Sequence, residues 1–290
     1  VKILREESLM LELGYTVHVH FGTNWNEIFD LANEVGASLI EIAMDHFEIL
    51  QQPNLRYLAH RIRDLATKYG LEVGVQSPCI DVNPASLNPH IRAASEKVLL
   101  QSLKFAADSG SRYFVLHLGH YNSKYYGKRY YTKAMLNAIS VVRKVVRVAA
   151  SYGVAVTIIN EPKTQGDNEY LCVAVNDVKR IATELPNTYI ALDLGHANTV
   201  EPPYEYVSKL LDLIDRVYLV KVHDNDGTSD QHLPIGRGKI DLSKVLSLLT
   251  EKGFTGPLVV DNYTIRDTKA SLLKLSTIVS PYLRKLSTMH

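Results

Sequence analysis

The stretch ASYGVAVTIIN, residues 150–160, joins the end of a helical pattern to a glycine and then to a short apolar strand that closes on an amide. Glycine suits that junction, because the residue following a helix favours a left-handed backbone that costs glycine no steric penalty. The same succession recurs in NEVGASLIEIA (33–43), TKYGLEVGVQ (67–76), ADSGSRYFVLHL (107–118) and TEKGFTGPLVVDNY (250–263). YTVHVHF (15–21), NTYIALDL (187–194) and DRVYLVKV (215–222) supply further strands without the glycine. Helical patterns fill the intervals; NPHIRAASEKVLLQSLKFAAD (88–108) opens with an Asn cap and a Pro at the first helical position. About eight strands, each followed by a helix at intervals of roughly 30–40 residues, predict a parallel sheet of βα units. An open doubly wound sheet usually carries a glycine-rich phosphate turn after its first strand, and HFGTNWNE (20–27) is not one. The expected fold is an α/β closed (β/α)₈ TIM barrel, one domain over residues 1–290.

Composition narrows the function classes. Hydrophobic residues make up 46% of the 290 and charged residues 22%, a globular composition with length enough for a large core. Thirty-two basic against 31 acidic side chains leave a formal net charge of +1, which counts against nucleic acid as a partner. The two cysteines, Cys79 and Cys172, form neither a CxxC metal spacing nor a disulfide framework, so a reducing, cytoplasmic setting is expected. No apolar run approaches the ~18 residues of a membrane span. The opening VKILREESLM is too charged for the apolar part of a secretion signal.

In a (β/α)₈ barrel the active site is built at the carboxyl ends of the strands. Those ends carry His18 and His20, Glu41 with Asp45 and His46 beyond it, Gln76, His117 and His120, and Asn160 and Glu161. Further along come Asp193 and His196, Lys221 and His223, and Asp261. Alternation along a strand sets His18 with His20, Ile159 with Glu161, and Lys221 with His223 on a common face. Taken singly, each has a plain structural reading. His18 reads first as a hydrogen-bonded core histidine. Glu41 and Lys221 read as a buried ion pair filling the barrel, and Asp224–Gly227 as a turn. The set is harder to explain that way, because nearly every strand puts an ionisable or amide group at the same end. The functional reading is preferred for the set.

Two loop motifs carry weaker signals. HYNSKYYGKRYY (120–131) interleaves tyrosines with three cations. Such a loop suits a lid or a stacking surface, and equally an oligomer contact, which leaves a homo-oligomer open. GRG (236–238) offers backbone N–H groups but lacks the spacing of a phosphate loop.

These residues resemble the xylose-isomerase-like barrels, a superfamily that includes sugar isomerases and epimerases as well as endonuclease IV. The most specific piece is DNDGTSDQHLPIGRGKID (224–241), similar to the loop after the seventh strand of that family. ALDLGHAN (191–198), VLHLGH (115–120) and INEP (159–162) match the sixth, fourth and fifth strands. The resemblance implies one divalent metal (manganese, cobalt, zinc or magnesium) held by Glu, Asp, His and Glu from strands five to eight. Carried onto this chain, those positions are Ile159, Asp193, Lys221 and Asp261. Endonuclease IV adds a histidine where Gln76 stands. Two readings follow. Either the metal sits one strand step nearer the mouth, among Glu161, His223, Asp193 and Asp261, or the inner site is metal-free and Lys221 fills it between Asp193 and Asp261. The second is preferred, because Ile159 ligates nothing. His196, Asp230 and His232 match the family fully, hold a zinc in endonuclease IV, and form a valid metal set.

The function the resemblance implies is a sugar or sugar-phosphate isomerase or epimerase acting by proton transfer alpha to a carbonyl. Glu161, Asp261, His223 and Lys221 are the catalytic candidates. His117, His196, His232, Gln76 and Glu41 are the substrate-binding candidates, and Asp193, His196, His223, Asp230, His232 and Asp261 the metal candidates. The alternative is a diverged, metal-free barrel that binds a sugar or polyol without that chemistry. An abasic-site endonuclease ranks last, since neutral charge, Gln76 and Ile159 all oppose it.

Overall fold

Gly36, Gly70, Gly110, Gly153 and Gly253, the glycines of the repeated motif, all have left-handed φ, between 67° and 88°. Each turns the chain from a helix towards the next strand. The computed structural model describes residues 11–22 and 24–287, so VKILREESLM lies outside the described residues. The strands in chain order are β1 (Leu13–Val17), β2 (Leu39–Ala43), β3 (Glu72–Gln76), β4 (Tyr113–Leu116), β5 (His120–Asn122), β6 (Ala155–Ile159), β7 (Asn168–Tyr170), β8 (Tyr189–Asp193), β9 (Val217–Val222) and β10 (Leu258–Val260). Eight of them close a parallel barrel in the order β1-β10-β9-β8-β6-β4-β3-β2. β5 and β7 pair antiparallel as a separate ribbon. Helices follow the barrel strands, as expected of a (β/α)₈ TIM barrel.

The helices pack by their apolar stripes. Trp25–Val35 buries Trp25, Ile28, Phe29, Leu31, Ala32 and Val35, a 3–4 residue spacing, and the larger of these contribute roughly 1.5–3 kcal/mol each. The Asn88 side chain accepts from the His90 N–H at 2.9 Å and caps Pro89–Asp108, as its sequence suggests. No helix among the described residues is long and apolar enough to cross a membrane.

Inside the barrel, Leu39, Tyr113, Val115, Ile159, Ala191, Leu219 and Val259 form a closed apolar layer. Two residues further along the chain stand Glu41, Asp193 and Lys221 on their strands and His117, Glu161 and Asp261 just past the ends of theirs. A step of two keeps the inward face, so the barrel passes from an apolar floor to a polar layer in one stride. That layer sits at the carboxyl mouth.

Candidate active site

Lys221 is wholly buried at the base of the polar layer. Its ammonium lies 2.7 Å from Glu41 Oε1 and 2.6 Å from Asp261 Oδ2, donates to the side-chain carbonyl of Gln76, and reaches Thr16 Oγ1 at 3.4 Å. Thr16 also donates to Glu41 at 3.0 Å. Burial opposes a charged amine, but Asp261 and Glu41 outweigh it and hold the lysine pKa above its ordinary value. This corrects the expectation that Lys221 bridges Asp193 and Asp261. Its four-carbon stem carries the head across to Glu41, a wholly buried carboxylate in need of a counter-charge, while Asp193 is engaged by histidines. Asp193 Oδ1 accepts from the His196 backbone N–H at 2.8 Å and lies 3.2 Å from His223 Nε2.

The inner position therefore does not suit a metal: Ile159 offers no donor, and Lys221 already neutralises Asp261. The outer group differs. One ligand atom from each of His196, His223, Asp230 and His232 lies within 4.8 Å of the others. His196 Nδ1 donates to the Asn160 carbonyl at 2.6 Å, and His232 Nδ1 to the Asp261 carbonyl at 2.5 Å. A carbonyl only accepts, so both rings carry a proton on Nδ1 and turn Nε2 towards Asp230, at 3.3 and 3.2 Å. Metal-binding histidines are oriented in this way by backbone carbonyls. His223 Nε2, Asp230 Oδ1 and Asp193 Oδ2 are buried without a hydrogen-bond partner among the described residues, which is the costly arrangement a bound cation would relieve. This set fits a metal.

Local backbone supports the cluster. His232 has a left-handed φ of 49°, an uncommon conformation for a residue with a Cβ. A Cβ on Gly195 would overlap the His223 ring, which itself stacks on the His232 ring at 4.0 Å. Electrostatically the group is acid–base matched. Burial disfavours an imidazolium at His196, but Asp193 and Asp230 prevail and push its pKa up to about 10. His232 is raised for the same kind of reason, and Asp230 falls well below the usual carboxylate range because His196 and His232 overcome its burial.

A cavity of about 370 Å³ opens above these groups, lined by Gln76, His117, Glu161, His196, Asp230, His232 and Asp261 among others. On one wall His117 Nδ1 bonds Glu161 Oε1 at 2.8 Å, while His117 Nε2 has no partner among the described residues. On the other wall His18 Nε2 bonds Asp261 Oδ1. Glu41 and Lys221 lie beneath the cavity, and Asp193 and His223 stand behind its wall. Glu161 is thus held apart from the histidine cluster by His117, whereas Asp261 Oδ1 lies 3.9 Å from His232 Nδ1 and forms a second, smaller candidate group with His18 and His232.

His18, placed by the sequence at the carboxyl mouth although singly it reads as a core histidine, lines the cavity. So do two residues that the sequence reading passed over, Tyr170 and Tyr263, the latter stacked on His232 at 4.2 Å. Tyr263 follows Asp261 by two, the signal that identified the others. Asp224–Gly227 is in part the expected turn, with the Gly227 N–H on Asn225 Oδ1 at 2.9 Å, and Asp230 and His232 return to the cavity. Two of the GRG N–H groups are already engaged, Gly236 with Asp224 Oδ2 at 2.8 Å and Arg237 with the Pro234 carbonyl at 3.0 Å. Tyr125, 83% exposed, is not among the residues lining the cavity.

A family model described as "Xylose isomerase-like TIM barrel" matches residues 29–274. The structure of a D-tagatose 3-epimerase-like protein superimposes with a TM-score of 0.82 at 28% identity, covering 95% of this chain and 100% of that one. An L-ribulose 3-epimerase gives 0.77 at 17% identity, covering 97% and 98%. Uncharacterized protein MJ1311 of Methanocaldococcus jannaschii is 31% identical over 247 residues, 84% of this chain and 79% of the relative. The fold is thus one that sugar epimerases share, and the chain belongs to the xylose-isomerase-like TIM barrel family.

Proposed function

We propose that the protein is a sugar epimerase or isomerase that moves a proton on the carbon alpha to a carbonyl. The observation that carries this reading is the pairing of two carboxylate–imidazole couples, His117–Glu161 and His18–Asp261, on one cavity beside the histidine–aspartate cluster. The couples arise from β4 with β6 and from β1 with β10, which stand opposite each other in the eight-strand order. Glu161, held by His117, takes the proton from one face of the substrate. The His18–Asp261 couple supplies one to the other face, which is what epimerisation requires. His196, His223, Asp230 and His232, with Asp193 behind them, are the residues that would hold a divalent ion. Three imidazoles suit zinc, cobalt or manganese better than magnesium, and such an ion stabilises negative charge developing on substrate oxygens.

The lining residues of the cavity include histidines and carboxylates but neither lysine nor arginine. That favours an unphosphorylated sugar over a sugar phosphate. The second reading, a barrel that binds a sugar or polyol without this chemistry, is favoured by one observation, the ammonium of Lys221 where the family places its metal.

Incubation with ketopentoses and ketohexoses in D₂O, after manganese loading, tests the proposal by NMR. Deuterium is expected at one carbon alpha to the carbonyl, and Glu161→Gln should slow its entry by about 10²-fold or more. Binding of a sugar with no deuterium entry contradicts the proposal and leaves the second reading.

A further inference from the structure

We infer that the oxygens of Thr16, Glu41, Gln76 and Asp261 form a cation site that the chain fills with its own Lys221 ammonium, and that this confines any metal to the outer histidine cluster. The inference goes beyond the proton-transfer reading and stands without it. Four oxygens from four strands converge on one nitrogen: carboxylates at 2.7 and 2.6 Å, the Gln76 carbonyl, and the Thr16 hydroxyl at 3.4 Å. Two of the four bring formal negative charge, so the cage demands a cation. A buried carboxylate pair with none is far too costly to persist ionised. Among the described residues, every hydrogen-bond and ion-pair partner of the nitrogen is an oxygen, and the lysine side chain has no exposed surface. The cage is thus built like a hard-cation site with a tethered occupant.

The tether also sets the polarity of the cavity floor. An ammonium only donates, so it turns the Gln76 carbonyl inward and leaves the Gln76 amide N–H groups for the cavity that this residue lines. By engaging Asp261 Oδ2 it leaves Oδ1 for His18. The Asp261 backbone carbonyl meanwhile orients His232. Lys221 is therefore a positioning residue for both the His18 couple and the outer cluster, although it does not itself line the cavity.

Manganese counting by electron paramagnetic resonance on the chelator-stripped full chain tests this. Wild type is expected to saturate at one equivalent, which a His223→Ala/His232→Ala double variant loses. Lys221→Ala should accept a second equivalent that survives those two changes. Methylammonium should raise the melting temperature of Lys221→Ala with increasing concentration and leave wild type unmoved. Two equivalents on wild type would overturn the assignment. So would a Lys221→Ala protein that neither takes a second ion nor gains stability from methylammonium. Should that variant fail to fold, wild type with ¹⁵N-labelled lysine decides: one NH₃⁺ resonance protected from solvent exchange is expected, and exchange of every lysine NH₃⁺ at the solvent rate overturns the inference.

Discussion

The inner cage and the outer cluster sit two residues apart at the end of β9, at Lys221 and, just past the strand, His223, yet they handle buried charge in opposite ways. In the cage, an attached ammonium meets Glu41 and Asp261 directly. In the cluster, Asp230 is ringed by His196, His223 and His232, and buried polar atoms of Asp193, Asp230 and His223 lack hydrogen-bond partners among the described residues. A strand end in a barrel dictates only that a polar group faces the mouth. The residue type then decides whether its charge is resolved within the chain or left for a ligand.

The comparison is broken most forcefully at the cage. Lys221→Ala leaves two buried carboxylates without their cation and is expected to cost about 3–5 kcal/mol, measured by urea unfolding. His223→Ala, in the metal-free protein, should cost clearly less while abolishing metal uptake. Equal losses would erase the distinction between the two regions. Gly195→Ala comes next, since the added methyl overlaps the His223 ring. About 1–3 kcal/mol of overpacking is expected, with weaker manganese binding in an isothermal titration.

A pH series sharpens the contrast. At His196, burial works against the charge but Asp193 and Asp230 raise the pKa from 6.5 to about 10. Its contribution is fully present below pH 6.5 and is lost as the pH rises through 10, so the chelated protein should lose urea stability across that window. A metal ion competes with the proton for Nε2, so manganese should flatten the decline. An unchanged slope with manganese present would remove His196 from the ligand set. The smallest effect is expected at Tyr125→Ser, which lies outside the cavity and should change stability by less than about 0.5 kcal/mol and deuterium entry not at all.

Much of the fold was legible because its signals are local. Left-handed glycines end helices, and the apolar runs that follow are buried on both faces, as in Leu39–Ala43. The β5–β7 ribbon was not, since HYN and NEY are three-residue polar segments with no periodicity to read. In the site, alternation by two set Glu161 and His223 on one face, and the structure puts Glu161 on the cavity wall and His223 behind it, against Asp193. Alternation could not tell where a long, flexible lysine stem ends, so two placements stood side by side for Lys221: the pair with Glu41, which the structure has, and the bridge from Asp261 to Asp193, of which only the Asp261 half is found. His18 kept two readings because a lone histidine has the same sequence signature in a core as on a cavity wall. Only its Asp261 partner, 243 positions away, distinguishes the two.

Anomalous diffraction from crystals soaked in manganese or zinc tests the division between cage and cluster most directly. One peak is expected, bounded by His196, His223, Asp230 and His232, with the Lys221 side chain still on Glu41 and Asp261. A peak in the inner space between Asp193 and Asp261, with Lys221 displaced, would contradict the account.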